Sequence, residues 1–290
     1  MQELDDYINR VEHLPPAPRI LPQLLSLLGK PDIDSSRVVS LITYDPGLTA
    51  SVLQLCNSAY FGAGAPVSDV QEAVTRLGFR QVCQLVAAIS GSRALGRGQK
   101  GYDLEAGELW KHSVATAVSA QIIARDRGVD ESMTFTAALL HDIGKIILSQ
   151  ALESRYAQVV EEVEEKQQAL LETEKRLLGV QHAEVGGRLL ARWKFPSSLV
   201  AGVWFHHHPT AAAPDEKLAA CIYLGNLISY FMGLGYGRHA FALRGRASAL
   251  EILGLDGDDL PRYMIQTFEN FEAIDALIQI PTECSSAAKV

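Results

Sequence analysis

Apolar residues in this chain recur at three- and four-residue spacing almost from end to end, and no stretch alternates apolar with polar side chains. The first pattern puts its apolar members on one face of a helix, whereas a half-buried strand needs a period of two. The pattern predicts an all-α fold, a bundle in which each helix buries a stripe against its neighbours. Ile20–Leu28 and Arg37–Ile42 carry it first, with Asp34 and Ser35 as expected caps of the second. Asp45-Pro46 reads as a helix start, because a carboxylate can accept the orphan N–H groups and proline suits the first turn. The helix that follows turns Leu48, Val52 and Leu55 to a core and runs into Asn57-Ser58. A loop is expected over Gly62–Pro66, a short helix over Val70–Leu77 stopped by Gly78, and a long apolar helix from about Gln81 to Leu95.

"GRGQKGYD", residues 96–103, is glycine-rich and polar, and reads as a linker between two helical halves. Beyond it, helices are expected over Leu104–Arg125, Ser132–Leu140, Ala183–Trp193 and Ser198–His206. Lys194-Phe195-Pro196 breaks the third of these, and Pro209 closes the fourth. Glu161–Arg176 is dense in Glu and Lys at helical spacing and reads as a solvated face. "PTAAAPDE" is a loop, the remainder to about Ile280 is helical, and the tail is loose. Leu218–Gly237 is uncharged for twenty residues, which is long enough to span a bilayer. It contains Asn226, Ser229 and four glycines, and a buried core helix ending in a glycine-rich turn is the better reading.

The chain has 290 residues, 48% hydrophobic and 21% charged, which suits a globular protein with a sizeable core. A formal charge of −8 argues against direct nucleic-acid binding, which needs clustered Lys and Arg. Cys56, Cys83, Cys221 and Cys284 show no C-x-x-C spacing, and the start "MQELDDYINR" is acidic with no apolar core. Reduced thiols, a cytoplasmic location and no membrane attachment are expected.

The chemistry gathers in the second half. "ALLHDIGK", Ala138–Lys145, sets His141, Asp142 and Lys145 directly after an apolar run. Adjacent residues on a helix diverge by about 100°, so His141 and Asp142 could face one ion only at a helix end, for which Gly144 is the candidate. His112, His182, His206, His207 and His208 each fall on or beside an expected helix. A bundle can aim such side chains from different helices at one point. Imidazoles with a carboxylate suit Fe, Mn, Ni or Zn better than Ca or Mg alone. Singly, each histidine is as well explained by packing or by a helix C-terminus; together they share one chemistry.

The run "HDIGK", with His112 before it and His182 and His206-His207 after it, resembles the HD superfamily of metal-dependent phosphohydrolases. The first half adds "LPPAPRILPQLLSLL", "ITYDPGLTASVLQLCNSAYFG" and "VQEAVTRLGFRQV", and the second adds "LWKHSVATA", "TAALLHDIGKIIL", "LGVQHAEVGGRLLARWKFP" and "HHHP". Together these resemble the HDOD family, HD-related output domains of bacterial signalling. The resemblance covers residues 14–209, as an N-terminal half (14–97) and an HD-like half (104–209), after a lead-in (1–13) and before a helical extension (210–290). It implies an all-α fold, a regulatory role exerted through signalling proteins, and no catalysis in many members. The related HD-GYP branch cleaves cyclic dinucleotides at a metal centre.

Carried over by position, His112, His141 and Asp142 match the first three HD ligands. His182, His206 and His207 match the added histidines of the HD-GYP branch, and Lys145 a lysine beside the substrate phosphate. Asn226 stands where HD enzymes place a final Asp, and an amide is a weaker ligand. No Gly-Tyr-Pro follows "HHHP", and "GLGYGR" comes too late. His208 has no counterpart; with Asn226 it is a weaker candidate. The leading expectation is a non-catalytic signalling module. A phosphohydrolase, in which Asp142 orients water and Lys145 offsets phosphate charge, is the alternative. A sensor that binds a nucleotide ligand without cleaving it is the third.

Overall fold

The structure, a computed structural model, describes residues 20–28, 35–57, 66–102, 104–151, 158, 170–234 and 246–270. Among these the chain is helical throughout, apart from one isolated antiparallel bridge between Gln99 and Leu104. The all-α expectation holds. The expected loop at Gly62–Pro66 (except Pro66 itself), the cap Asp34, Cys284 and the C-terminal tail lie outside the described residues.

The N-terminal half comprises α1 (Leu21–Leu28), α2 (Ser35–Thr43), α3 (Pro46–Cys56), α4 (Val70–Leu77) and α5 (Phe79–Leu95). Its starts are set by aspartates. Asp45 accepts from the Leu48 N–H at 2.9 Å with Pro46 in the first turn, and Asp69 accepts from the Glu72 N–H at 2.8 Å. α5 is the central rod, with Val82, Leu85, Val86 and Ile89 buried against α1, α3 and α4. Farther along, Gly91 of α5 lies against Trp110 and Leu139, which joins the two halves in one apolar core.

The second half comprises α6 (Glu108–Arg127), α7 (Glu131–Leu139), α8 (Ile143–Ala151), α9 (Leu170–Leu178), α10 (His182–Arg192) and α11 (Ser197–Trp204). The chain ends its described part with α12 (Glu216–Phe231), α13 (Arg246–Leu253) and α14 (Asp259–Glu269). Asp130 caps α7 by accepting from the Met133 N–H at 2.8 Å. α6 starts four residues later than the periodicity suggests. Leu104 is held back by exchanging backbone hydrogen bonds with Gln99, and the Gly107 N–H donates to the Gly96 carbonyl. The connector between the halves is therefore packed: Tyr102 is buried, and the Gly101 N–H donates to Ser149 Oγ at 3.1 Å.

Leu218–Phe231 of the uncharged stretch lies in α12, which packs along α6, and residues 235–237 lie outside the described residues. A Cβ on Gly225 would lie 2.7 Å from the Thr116 carbonyl, so only glycine permits this approach. No described helix is long and apolar enough to cross a membrane. The C-terminal helices build a second apolar cluster, with Tyr223, Ile228, Leu253 and Tyr263 packed against Ile123 of α6. Cys56, Cys83 and Cys221 are free and buried.

Candidate metal centre

His141 and Asp142 occupy the turn between α7 and α8. Leu140, not Gly144, closes the first helix, and its N–H donates back into the last turn of α7. Gly144 has a different task, inside α8. A Cβ there would stand 1.9 Å from the His182 carbonyl and 2.8 Å from the Gly186 nitrogen. Glycine at 144 lets α8 press on the start of α10, which carries His182 to Asp142.

Asp142 is the hub. Its Oδ2 lies 3.3 Å from His141 Nε2, 3.8 Å from His112 Nε2 and 2.6 Å from Lys145 Nζ. Its Oδ1 lies 3.2 Å from His182 Nε2 and 4.0 Å from His206 Nε2. His207 Nε2 faces His182 Nε2 at 3.0 Å. The donors form two groups, His112–His141–Asp142 and His182–His206–His207, each with one ligand atom per residue inside 4.8 Å. All these side chains are buried.

The ring orientations follow from the opposite nitrogens. His141 Nδ1 lies 2.7 Å from the Ala138 carbonyl, His206 Nδ1 2.6 Å from the Val203 carbonyl, and His112 Nδ1 3.3 Å from the Leu234 carbonyl. A carbonyl only accepts, so Nδ1 of His141 and of His206 donates a proton there, which leaves Nε2 of each ring facing Asp142. His182 Nδ1 is held at 2.9 Å by the Glu174 carboxylate. Nε2 of His112, His141 and His206, Nδ1 of His207 and Oδ1 of Asp142 have no hydrogen-bond partner. Three buried ring nitrogens without a partner, Nε2 of His112, His141 and His206, gathered within 4.0 Å of one carboxylate, fit a bound cation. The imidazole-rich set suits a divalent transition metal.

Electrostatics agree with that preparation. Burial, then the neighbouring His141, pushes His112 down to about 3. Burial with the adjacent histidines also holds His206 and His207 well below the usual histidine range. These rings stay neutral and able to coordinate. Burial opposes charge on His182 too, but the Glu174 and Asp142 carboxylates outweigh it and raise the ring to about 9. Burial would protonate Asp142; His141 and Lys145 outweigh that and hold it well below the usual carboxylate range. Asp142 in turn raises Lys145.

The structure thus brings together His112, His141, Asp142, Lys145, His182, His206 and His207. His208 is exposed and belongs to neither group: it opens the short 3-10 turn Pro209–Ala211, and the backbone there turns its ring away. Asn226 is buried in α12 with its Oδ1 unpartnered. Ser229 and Tyr230, three and four residues on and so on the same face, touch His112: Ser229 Oγ at 3.0 Å from Nδ1, the Tyr230 ring at 4.7 Å between centroids. The helical extension therefore contributes to the centre. Glu174 and Tyr102 were missed by sequence reasoning. The charge-rich helix hid Glu174 among solvated neighbours, yet it is 0% exposed. The signal available was its place on the apolar side of α9, four residues before Leu178 and beside the buried Thr173.

An all-helical chain with histidines and one Asp-Lys pair converging in its core defines a protein of the HD type. The family model described as the HDOD domain matches residues 14–209, and the chain belongs to the HDOD family. An uncharacterized protein of Treponema pallidum (strain Nichols) is 27% identical over 228 residues, taking in 77% of this chain and 44% of that protein. The chain thus spans less than half the length of the curated relative it matches. Among solved structures, an HDOD domain protein of unknown function from Geobacter sulfurreducens has a TM-score of 0.80 at 24% identity, over 97% of this chain and 98% of that one. A protein from Shewanella amazonensis SB2B, provisionally named a phosphohydrolase, has a TM-score of 0.72 at 27% identity, over 95% and 98%.

Proposed function

We propose that this protein is a regulatory HDOD module that keeps a metal-binding HD centre as a structural element and acts through signalling proteins. The convergence of unpartnered imidazole and carboxylate atoms on Asp142 carries the metal half of this reading. Such an ion would be Fe, Mn, Ni or Zn, held by His112, His141 and Asp142 on one side and His182, His206 and His207 on the other. The regulatory half draws support from the burial of every one of these side chains and from an amide, Asn226, where a further carboxylate would complete an HD enzyme. The test is elemental analysis of tag-free protein. About one equivalent of such a metal, lost in His141→Ala, is the expected result; no metal after reconstitution would sink it.

A second reading, hydrolysis of a phosphodiester, is favoured by Lys145. Its ammonium sits on Asp142 at 2.6 Å, where it could offset a phosphate. A bound divalent ion supplies Lewis acidity and water acidified towards neutral pH. The similarity to the Shewanella protein supports the same reading. Phosphodiester turnover by metal-replete protein, abolished in His141→Ala, would replace the first reading with this one. Saturable nucleotide binding without product would indicate a sensor instead. A cytoplasmic location in a bacterium suits all three.

A further inference from the structure

Of the four histidines whose Nδ1 is anchored, His182 is held differently. His141 and His206 each lean on a carbonyl three residues back in their own chain, so ring and anchor move together. His182 depends on Glu174, which comes from another helix. One Glu174 oxygen accepts from the His182 backbone N–H at 2.9 Å, and the carboxylate also holds Nδ1 at 2.9 Å. Glu174 is itself steadied by Tyr102 of the connector, whose hydroxyl donates to Oε1 at 3.0 Å. The Tyr102 ring also lies 5.7 Å from Lys145 Nζ. One tyrosine between the two halves therefore touches both the support of His182 and the cation on Asp142.

We propose that Tyr102 and Glu174 are positioning residues that make metal affinity at the His182–His206–His207 side depend on where the connector sits. The backbone of the connector joins the halves, so a partner that shifts one half against the other would pull on this support. Release of Glu174 leaves the His182 ring free to rotate or change tautomer, and Nε2 no longer faces Asp142 and His207. Coupling of this kind is reciprocal: an ion that needs His182 in place must also tighten the connector. The inference rests on the reading that the centre takes a metal.

The experiment uses the full-length, tag-free protein. Zn²⁺ affinity is measured by competition with a chromophoric chelator, and coordination by the visible spectrum of the Co²⁺ form. Hydrogen exchange is followed at Gly101 and Tyr102, with and without Zn²⁺. Glu174→Gln is expected to weaken Zn²⁺ binding by about 10- to 100-fold and Tyr102→Phe by up to about tenfold, the range for losing support behind a ligand histidine. Both should alter the Co²⁺ spectrum, and Zn²⁺ should slow connector exchange in the wild type but not in Tyr102→Phe. Tyr102→Phe removes one oxygen and keeps the ring, so it remains informative if Glu174→Gln folds poorly. Wild-type binding with unchanged affinity, spectrum and exchange in Tyr102→Phe would overturn this inference and leave the metal centre standing. Failure of the wild type to bind Zn²⁺ or Co²⁺ would overturn both.

Discussion

Asp126 and Asp142 each hold a cationic side chain at 2.6 Å, Arg127 in the first case and Lys145 in the second. Their surroundings are opposite. Asp126, 36% exposed at the end of α6, is met by donors alone: Arg127, Arg262 at 3.1 Å, and the Tyr263 hydroxyl of α14. Those contacts pin α14 to α6 and leave the carboxylate satisfied. Asp142 is 1% exposed and, beyond Lys145 and the His182 ring at 3.2 Å, faces Nε2 of His112, His141 and His206, none of which has a hydrogen-bond partner. Buried ring nitrogens left without partners beside a carboxylate are an arrangement that a cation completes. Charge alone does not distinguish a clip from a candidate metal centre; the direction of the donors does.

Four changes would break or sharpen that contrast. Gly144→Ala should be the most severe, because its Cβ meets backbone rather than a flexible side chain. We expect a loss of more than about 3 kcal/mol in urea unfolding, together with loss of bound metal; wild-type stability with metal retained would show that α8 and α10 need not touch. Asp142→Asn should cost about 3–5 kcal/mol in metal-loaded protein and clearly less in chelator, since the hub matters most when it holds an ion. Equal drops in melting temperature under the two conditions would place Asp142 with Asp126 as a structural group.

Lys145→Met leaves Asp142 buried without its ammonium. A loss of about 3 kcal/mol is expected in chelator, much of it recovered on adding Zn²⁺, because the ion replaces the missing positive charge. No recovery in a denaturation series would argue that lysine and metal do not share Asp142. The smallest effect belongs to Asp126→Asn, about 1 kcal/mol or less for an exposed cluster. Hydrogen bonds from Tyr263 and Arg127 lower the Asp126 carboxyl to about 2, below its ordinary 3.8. A depressed carboxyl stabilises the fold above its unfolded value and loses that contribution as pH falls through the folded one. The gap in melting temperature between wild type and Asp126→Asn should therefore be present at pH 5 and close towards pH 2. A gap that persisted there would assign the stabilisation to shape rather than charge.

Much of this architecture could be read along the chain, because helix starts and stops are local chemistry. Asp45, Asp69 and Asp130 cap helices by reaching N–H groups three residues on. Three-residue geometry depends on no distant neighbour. The residue types around the centre were legible for the same reason: imidazoles beside an HD pair name a chemistry whatever the fold. Periodicity failed where distant segments intervene. The start of α6 waits on the Gln99–Leu104 exchange, and the connector that composition marks as loose is buried around Tyr102.

The chain by itself determined the helices, their caps and the set of metal-capable side chains, since each depends on residues within a turn or two. Tertiary packing alone decided which of them meet. It admitted His206 and His207 and left His208 exposed, although the three are consecutive. It turned Gly144 from an expected helix end into the gap through which α10 reaches Asp142, and drew Glu174 out of a charged helix into the core. A helical period specifies a face but not what lies against it, and a ring nitrogen becomes a ligand only once the opposite nitrogen has found its acceptor.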